Sequence, residues 1–350
     1  MANNNRVRTL IVEDAPFVRK TIANLLSEDE HIEVVGTVGD GMAALEAIEH
    51  LKPDVITMDV DMPVMDGITA IKHIMVRQPR PVVMLSGLSK YGSVTLEALR
   101  LGAVDFFPKP EGSNLSQIKE QIHRLHKKIR QAVFVNTEAI KRVRLWRHID
   151  TSRQDIDGLP LVVLIGAHLG ASGNLLRLLA QVGAELPLAI VVLQDLTPQV
   201  LGPYVRELAA VVPWKIHVGT TCLIEPGNCY IATYDLAWRL EQTGSSLGPK
   251  LVPLPRKSSL TPANDLIAQA ANMFGNNVAV VLLSGTTKDG VEGLVEAEKS
   301  GARILVLDPK ECVFPYTPEY ALDHLGVEPV SEHEIWRELQ LMATASFRKD

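Results

Sequence analysis

The feature that most constrains this chain is an alternation. Over the first 110 residues, short apolar runs rich in β-branched side chains (8–12, 33–38, 54–58, 82–85 and 104–107) take turns with segments of helical period (16–26, 42–51, 68–76 and 94–101). Strands separated each time by a helix cannot close as hairpins, so they pair in parallel and their helices cover the sheet. In such sheets the chemistry collects in the crevice at the carboxyl ends of the strands. The residues just after each run are therefore the ones to inspect.

At 350 residues the chain is long enough for two domains. A basic, helix-friendly stretch runs from 117 to about 147, and a second alternating pattern begins at Leu161 and recurs at 189–194, 278–284 and 304–307. The expected organisation is a first domain over 1–125, a basic linker over 126–156 and a second parallel-sheet α/β domain over 157–350. Lys127, Lys128 and the run 141–147 read as a solvated linker face, with Trp146 expected to pack between the domains.

The longest apolar runs, such as 159–167, are half the length of a membrane span, and the opening MANNNRVRTL has no signal-peptide hydrophobic region. A cytoplasmic location is expected. Cys222, Cys229 and Cys312 form a sparse set without paired ligand spacing, which argues against a disulfide framework or a zinc site and for buried thiols. A net charge of −6 argues against a basic nucleic-acid-binding face.

Glu13 and Asp14 follow the first run, Asp59 the third, Ser86 the fourth, and Lys109 the fifth. All these side chains converge on one sheet edge. Carboxylates brought together repel unless a hard cation sits among them, and Mg²⁺ prefers oxygen ligands, waters and phosphate oxygens. A Mg²⁺-dependent phosphoryl site is expected, in which Lys109 neutralises a phosphoryl oxygen and Ser86 hydrogen-bonds another.

The segments LIVEDAPFVRK, DVITMDVDMPVMDG, VVMLSGLS and AVDFFPKP closely resemble the bacterial response-regulator receiver over residues 6–110. The resemblance implies a flavodoxin-like, doubly wound domain with Asp59 as phosphoacceptor. It also implies Mg²⁺ held by Glu13, Asp14, Asp59 and the backbone carbonyl of Asp61, and Ser86 and Phe106 as a switch pair acting with Lys109. Phe106 stands where tyrosine is commoner.

The second half, in LVVLIGAHLGAS, AIVVLQDLTPQV, IEPGNCYIA, TPANDLIAQAA and VVLLSGTTKDGVEGL, resembles the chemotaxis protein-glutamate methylesterase (CheB) family. In that family the first segment carries a serine nucleophile and the second a histidine base. Here a gapless match places His168 and Asp195 at those positions. The aspartate that orients the base is retained as Asp289, the oxyanion-side methionine becomes Thr286, and the arginine of another family motif becomes Thr261, while Pro262 and Asp265 remain. Acyl transfer needs a nucleophile and a base of near-neutral pKa, so the family's own reaction is not expected.

The expected protein is a phosphorylation-controlled response regulator of a chemotaxis-type system whose output domain acts by binding. The partners that the resemblance implies are a CheA-type histidine kinase and a chemoreceptor or adaptor protein. The alternative is a protein-glutamate methylesterase or deamidase with a rearranged site, built from His168 with Asp195 or Asp289 and a hydroxyl such as Ser172. Transcriptional output is disfavoured, because no helix-turn-helix pattern follows the receiver. The segment Glu311–Phe314, where the family places a lid, reads as simple packing.

Overall fold

The computed structural model describes residues 6–87, 93–109, 115–140, 161–196, 198–243, 248–255 and 259–346. The chain divides into two compact units, Met1–Arg142 and Val143–Asp350. Most of the expected linker, including Trp146 and the basic run 141–147, lies outside the described residues.

In the first unit the order is β1 (Val7–Val12), α1 (Pro16–Leu26), β2 (Ile32–Val38), α2 (Gly41–Leu51), β3 (Val55–Asp59), α3 (Gly67–Arg77), β4 (Val82–Ser86), α4 (Ser93–Leu101), β5 (Asp105–Pro108) and α5 (Leu115–Ala132). The strands form one parallel sheet in the order β2-β1-β3-β4-β5. Every residue of β3, β4 and β5 is buried. That is why these strands read as unbroken apolar runs and not as alternating ones: helices cover both faces. Strand order reverses direction between β1 and β3, and the crevice opened there receives the loops after both strands.

α5 corrects the expected boundary. It continues seven residues past 125, and Leu125, Ile129 and Ala132 are buried with Val7, Ile11, Val83 and Phe107 in one core cluster. Its basic character belongs to the outer face of an amphipathic receiver helix. Lys128 is not a solvated linker charge either, because its ammonium pairs with the buried carboxylate of Asp105. A linker can begin only after this helix.

The second unit contains β6 (Leu161–Ala167), α6 (Ser172–Gln181), β7 (Leu188–Gln194), α7 (Pro198–Val211), β8 (Lys215–Val218), β9 (Cys222–Leu223), β10 (Asn228–Thr233), β11 (Leu236–Glu241) and β12 (Lys250–Pro255). It continues with α8 (Pro262–Phe274), β13 (Val278–Leu282), α9 (Val291–Lys299), β14 (Arg303–Leu307), α10 (Tyr316–Leu325), β15 (Pro329–Val330) and α11 (Glu332–Ser346). Seven strands make a parallel sheet in the order β15-β14-β13-β6-β7-β10-β8. The chain leaves β6 toward β7 on one side and later returns to β13 on the other, so β6 is the switch point. The loops after β6, β7 and β13 meet there.

A small antiparallel sheet, β11-β12-β9, lies outside the expected pattern. Pro253 and Pro255 obscure β12 in the sequence. They are tolerated because β9 pairs only with Lys250 and Leu251, leaving the proline half of β12 bonded on one side alone. Cys229 and Cys312 are buried and Cys222 is half-buried, all as free thiols. Among the described residues no helix is long and apolar enough to cross a membrane.

Candidate functional site

At the carboxyl edge of the first sheet the strand ends carry the chemistry themselves: Asp59 is the last residue of β3 and Ser86 the last of β4. The sequence reading had set both one position beyond the strand. Lys109, just past β5, is held by its backbone N–H donating to the Ser86 carbonyl at 2.9 Å. From there its ammonium lies 2.7 Å from Glu13 Oε2 and 2.9 Å from Asp59 Oδ2. Asp59 Oδ1 accepts from the Val60 N–H at 2.7 Å. Arg19 on α1 donates to the backbone carbonyls of Glu13 at 2.5 Å and Asp14 at 3.1 Å, clamping the acidic pair from below. Sequence reasoning missed Arg19, because a charge one helical turn into α1 gives no sign that it folds back on the loop.

The electrostatics follow from burial. Removal from water pushes the Asp59 carboxyl above the usual carboxylate range, with the Lys109 ammonium pulling against it. Glu13 is raised for the same reason, opposed by Lys109 and reinforced by the charge of Asp59. For Lys109, burial works against the ammonium, yet its bonds to both acids outweigh that and hold it above its ordinary value. One cation thus compensates only part of the acidic charge.

A cation fits what remains. Glu13, Asp14 and Asp59 each offer a carboxylate oxygen within 4.8 Å of the others. Glu13 Oε1 is buried without a hydrogen-bond partner among the described residues. An all-oxygen donor set with an unsatisfied buried acceptor suits a hard divalent ion. Asp14 and Asp61 are exposed at the mouth, whereas Glu13, Ser86 and Phe106 are buried. The Ser86 hydroxyl donates to the Gly87 carbonyl at 3.3 Å. Gly67 closes the floor: a Cβ there would stand 2.1 Å from the Asp59 carbonyl oxygen.

In the second unit the switch point brings His168, Asp195 and the β13 loop together. His168 Nε2 lies 3.5 Å from Asp195 Oδ2, and its Nδ1 faces Thr286, with Oγ1 at 3.2 Å and the backbone N–H donating at 3.4 Å. The ring stands edge-on to Tyr234, centroids 5.3 Å apart. Tyr234 went unrecognised in the sequence, since the residue after β10 reaches this site only by way of the sheet order. Asp195 is thus one partner of His168. Asp289 accepts from the backbone N–H groups of Asn264 at 2.9 Å and Ala263 at 3.2 Å, in the first turn of α8.

Ser172 opens α6, and its hydroxyl accepts from Gln194 Nε2 at 3.2 Å. Gly170, at φ +77°, makes the turn between His168 and Ser172, and Phe314 lies against it. Phe314 and Cys312 are buried, the Phe314 carbonyl accepts from Gly285 N–H at 2.9 Å, and the Val313 N–H donates to Ser284 Oγ at 3.0 Å. The segment expected to be packing is in contact with the β13 loop.

Two family models match the chain: the response regulator receiver domain over residues 9–123 and the CheB methylesterase over residues 163–339. A protein-glutamate methylesterase/protein-glutamine glutaminase from Caldanaerobacter subterraneus is 31% identical over 342 residues, covering 93% of each chain. One of the same description from Methylobacillus flagellatus is 32% identical over 335 residues, again 93% of each. The crystal structure of the response regulator domain of Thermotoga maritima CheB is 43% identical with a TM-score of 0.35, covering 37% of this chain and 98% of that one.

Proposed function

Because the chain belongs to the CheB methylesterase family and carries a response-regulator receiver, we propose that it is a phosphorylation-controlled regulator of chemotaxis-type signalling, with Asp59 as phosphoacceptor and an output domain that works by binding. The observation that supports this best is the ammonium of Lys109 held between Glu13 and Asp59. It is a cation placed on the acceptor carboxylate before any phosphoryl group arrives.

Glu13, Asp14 and Asp59, with the backbone carbonyl of Asp61, are the residues to hold Mg²⁺, which when bound supplies neutralising charge for the transferred phosphoryl group. The protein's own parts do the rest. Asp59 attacks through Oδ2 while Val60 N–H holds Oδ1, Lys109 follows the new negative charge, and Ser86 turns its hydroxyl from the Gly87 carbonyl to a phosphoryl oxygen. Ser86 and Phe106 are the two-state element that phosphorylation biases. A CheA-type histidine kinase is the donor, and a chemoreceptor or adaptor is the target of the output domain.

The binding reading rests on His168 and Asp195 standing where the family has its serine and histidine. Removing a serine nucleophile or its histidine lowers turnover about 10⁶-fold in a well-studied serine hydrolase. The test is methanol release from methylated receptors by the full chain with Mg²⁺ and beryllofluoride. Receptor binding that tightens with beryllofluoride, with no sustained release, is expected. Sustained release abolished by His168→Ala would replace the binding reading with a hydrolase.

A further inference from the structure

The contacts around His168 say more than that a serine has gone. A backbone N–H can only donate, so the Thr286 N–H at 3.4 Å identifies Nδ1 as the lone-pair nitrogen of the ring. The ring proton is thereby assigned to Nε2, the nitrogen facing Asp195 Oδ2 at 3.5 Å. A lone pair on Nδ1 can accept from the Thr286 hydroxyl, whose Oγ1 is 3.2 Å away. Hydroxyl, imidazole and carboxylate then stand in the order that activates a nucleophile, with the two ring nitrogens exchanged relative to the usual arrangement. The ring is held in place by Tyr234 and is only 12% exposed, whereas Thr286 is half-buried.

We infer that Thr286 is a rebuilt nucleophile that takes the acyl group of a carboxylic ester, with His168 as its base and Asp195 as a positioning residue. This goes beyond the binding reading and adds a covalent step to it. Thr286 Oγ1 forms a bond to the ester carbonyl carbon as its proton passes to His168 Nδ1. The tetrahedral species collapses by breaking the bond to the alcohol oxygen, and the alcohol leaves with that proton. Water, deprotonated by the same imidazole, later hydrolyses the acyl-threonine. Asp195 is 35% exposed and 3.5 Å away, a looser support for the imidazolium than a buried carboxylate gives. Slow release follows, so the acylated chain and not turnover is the species to detect.

The test is to incubate the full chain with p-nitrophenyl acetate and read both the p-nitrophenol burst and the acetylated peptide. The expected result is an acetyl group on Thr286. Thr286→Ala and His168→Ala should slow acylation about 10²-fold, Thr286→Ser should preserve it, and Ser172→Ala should leave it unchanged. Asp195 and Tyr234 are titratable groups in contact with the His168 ring. Asp195→Asn should move the pH midpoint of acylation downward, because a carboxylate favours the imidazolium. Acetylation of Lys288 alone, or an acetylation rate unchanged in Thr286→Ala, overturns the inference. Receptor binding by Thr286→Ala tests the binding reading separately: kept binding with lost acylation distinguishes the two.

Discussion

At the scale of the residue, the receiver site is a study in incomplete compensation. Two buried acids share one lysine, and the cost of desolvation leaves both carboxyls above their ordinary values. A carboxyl raised in the folded state holds its proton longer than the unfolded chain does. The folded state is therefore favoured at low pH, and that advantage is lost as pH rises from the ordinary carboxylate value through the raised one. Without Mg²⁺, Asp59→Asn should stabilise the chain by on the order of 1 kcal/mol near neutral pH and by less as pH falls toward about 4. Urea titrations of both proteins across that range, with and without Mg²⁺, check this, and Mg²⁺ should stabilise the wild type more than the variant. The types and spacing of Glu13, Asp14, Asp59 and Lys109 were legible in the sequence because each lies at or just past the end of an apolar run. Their mutual distances were not, since those depend on how far each strand runs.

At the scale of the element, α5 shows where reading by composition fails. Its string of lysines, arginines and histidines resembles a linker, yet every third or fourth residue is apolar, and Ile129 is fully buried against β1 and its neighbours. Periodicity, not charge, was the signal to follow. Ile129→Ala should cost about 3 kcal/mol of receiver stability, whereas a change at the exposed Lys127 should stay within about 0.5 kcal/mol; chemical denaturation of the two variants separates the cases. Most of the parallel strands were legible for the complementary reason that burial makes them apolar, whereas the half-exposed β8, the two-residue β15 and β10 were not. β9 and β12 were not, because two-residue pairing and internal prolines leave no run to recognise.

At the scale of the whole molecule, both units use one device, a parallel sheet whose switch point gathers the loops that carry reactive side chains. In the receiver that point gathers Glu13, Asp14, Asp59 and Lys109. In the second unit the same kind of point gathers an imidazole from the β6 loop, a carboxylate from the β7 loop and a threonine from the β13 loop. A fold conserves the place of a site and not its reaction. The sequence offered His168 with Asp195 or Asp289 as a pair, but not the approach of Thr286, which depends on β6 and β13 lying side by side.

The account depends most on Asp59 being the residue through which the chain is controlled. The measurement that tests this most directly is phosphorylation of the full chain by a small-molecule acyl phosphate, with the modified residue mapped by mass spectrometry. The account predicts a single phosphoryl group on Asp59, dependent on Mg²⁺ and absent from Asp59→Asn. A phosphoryl group that persists in that variant, or that forms without a divalent cation, would contradict it.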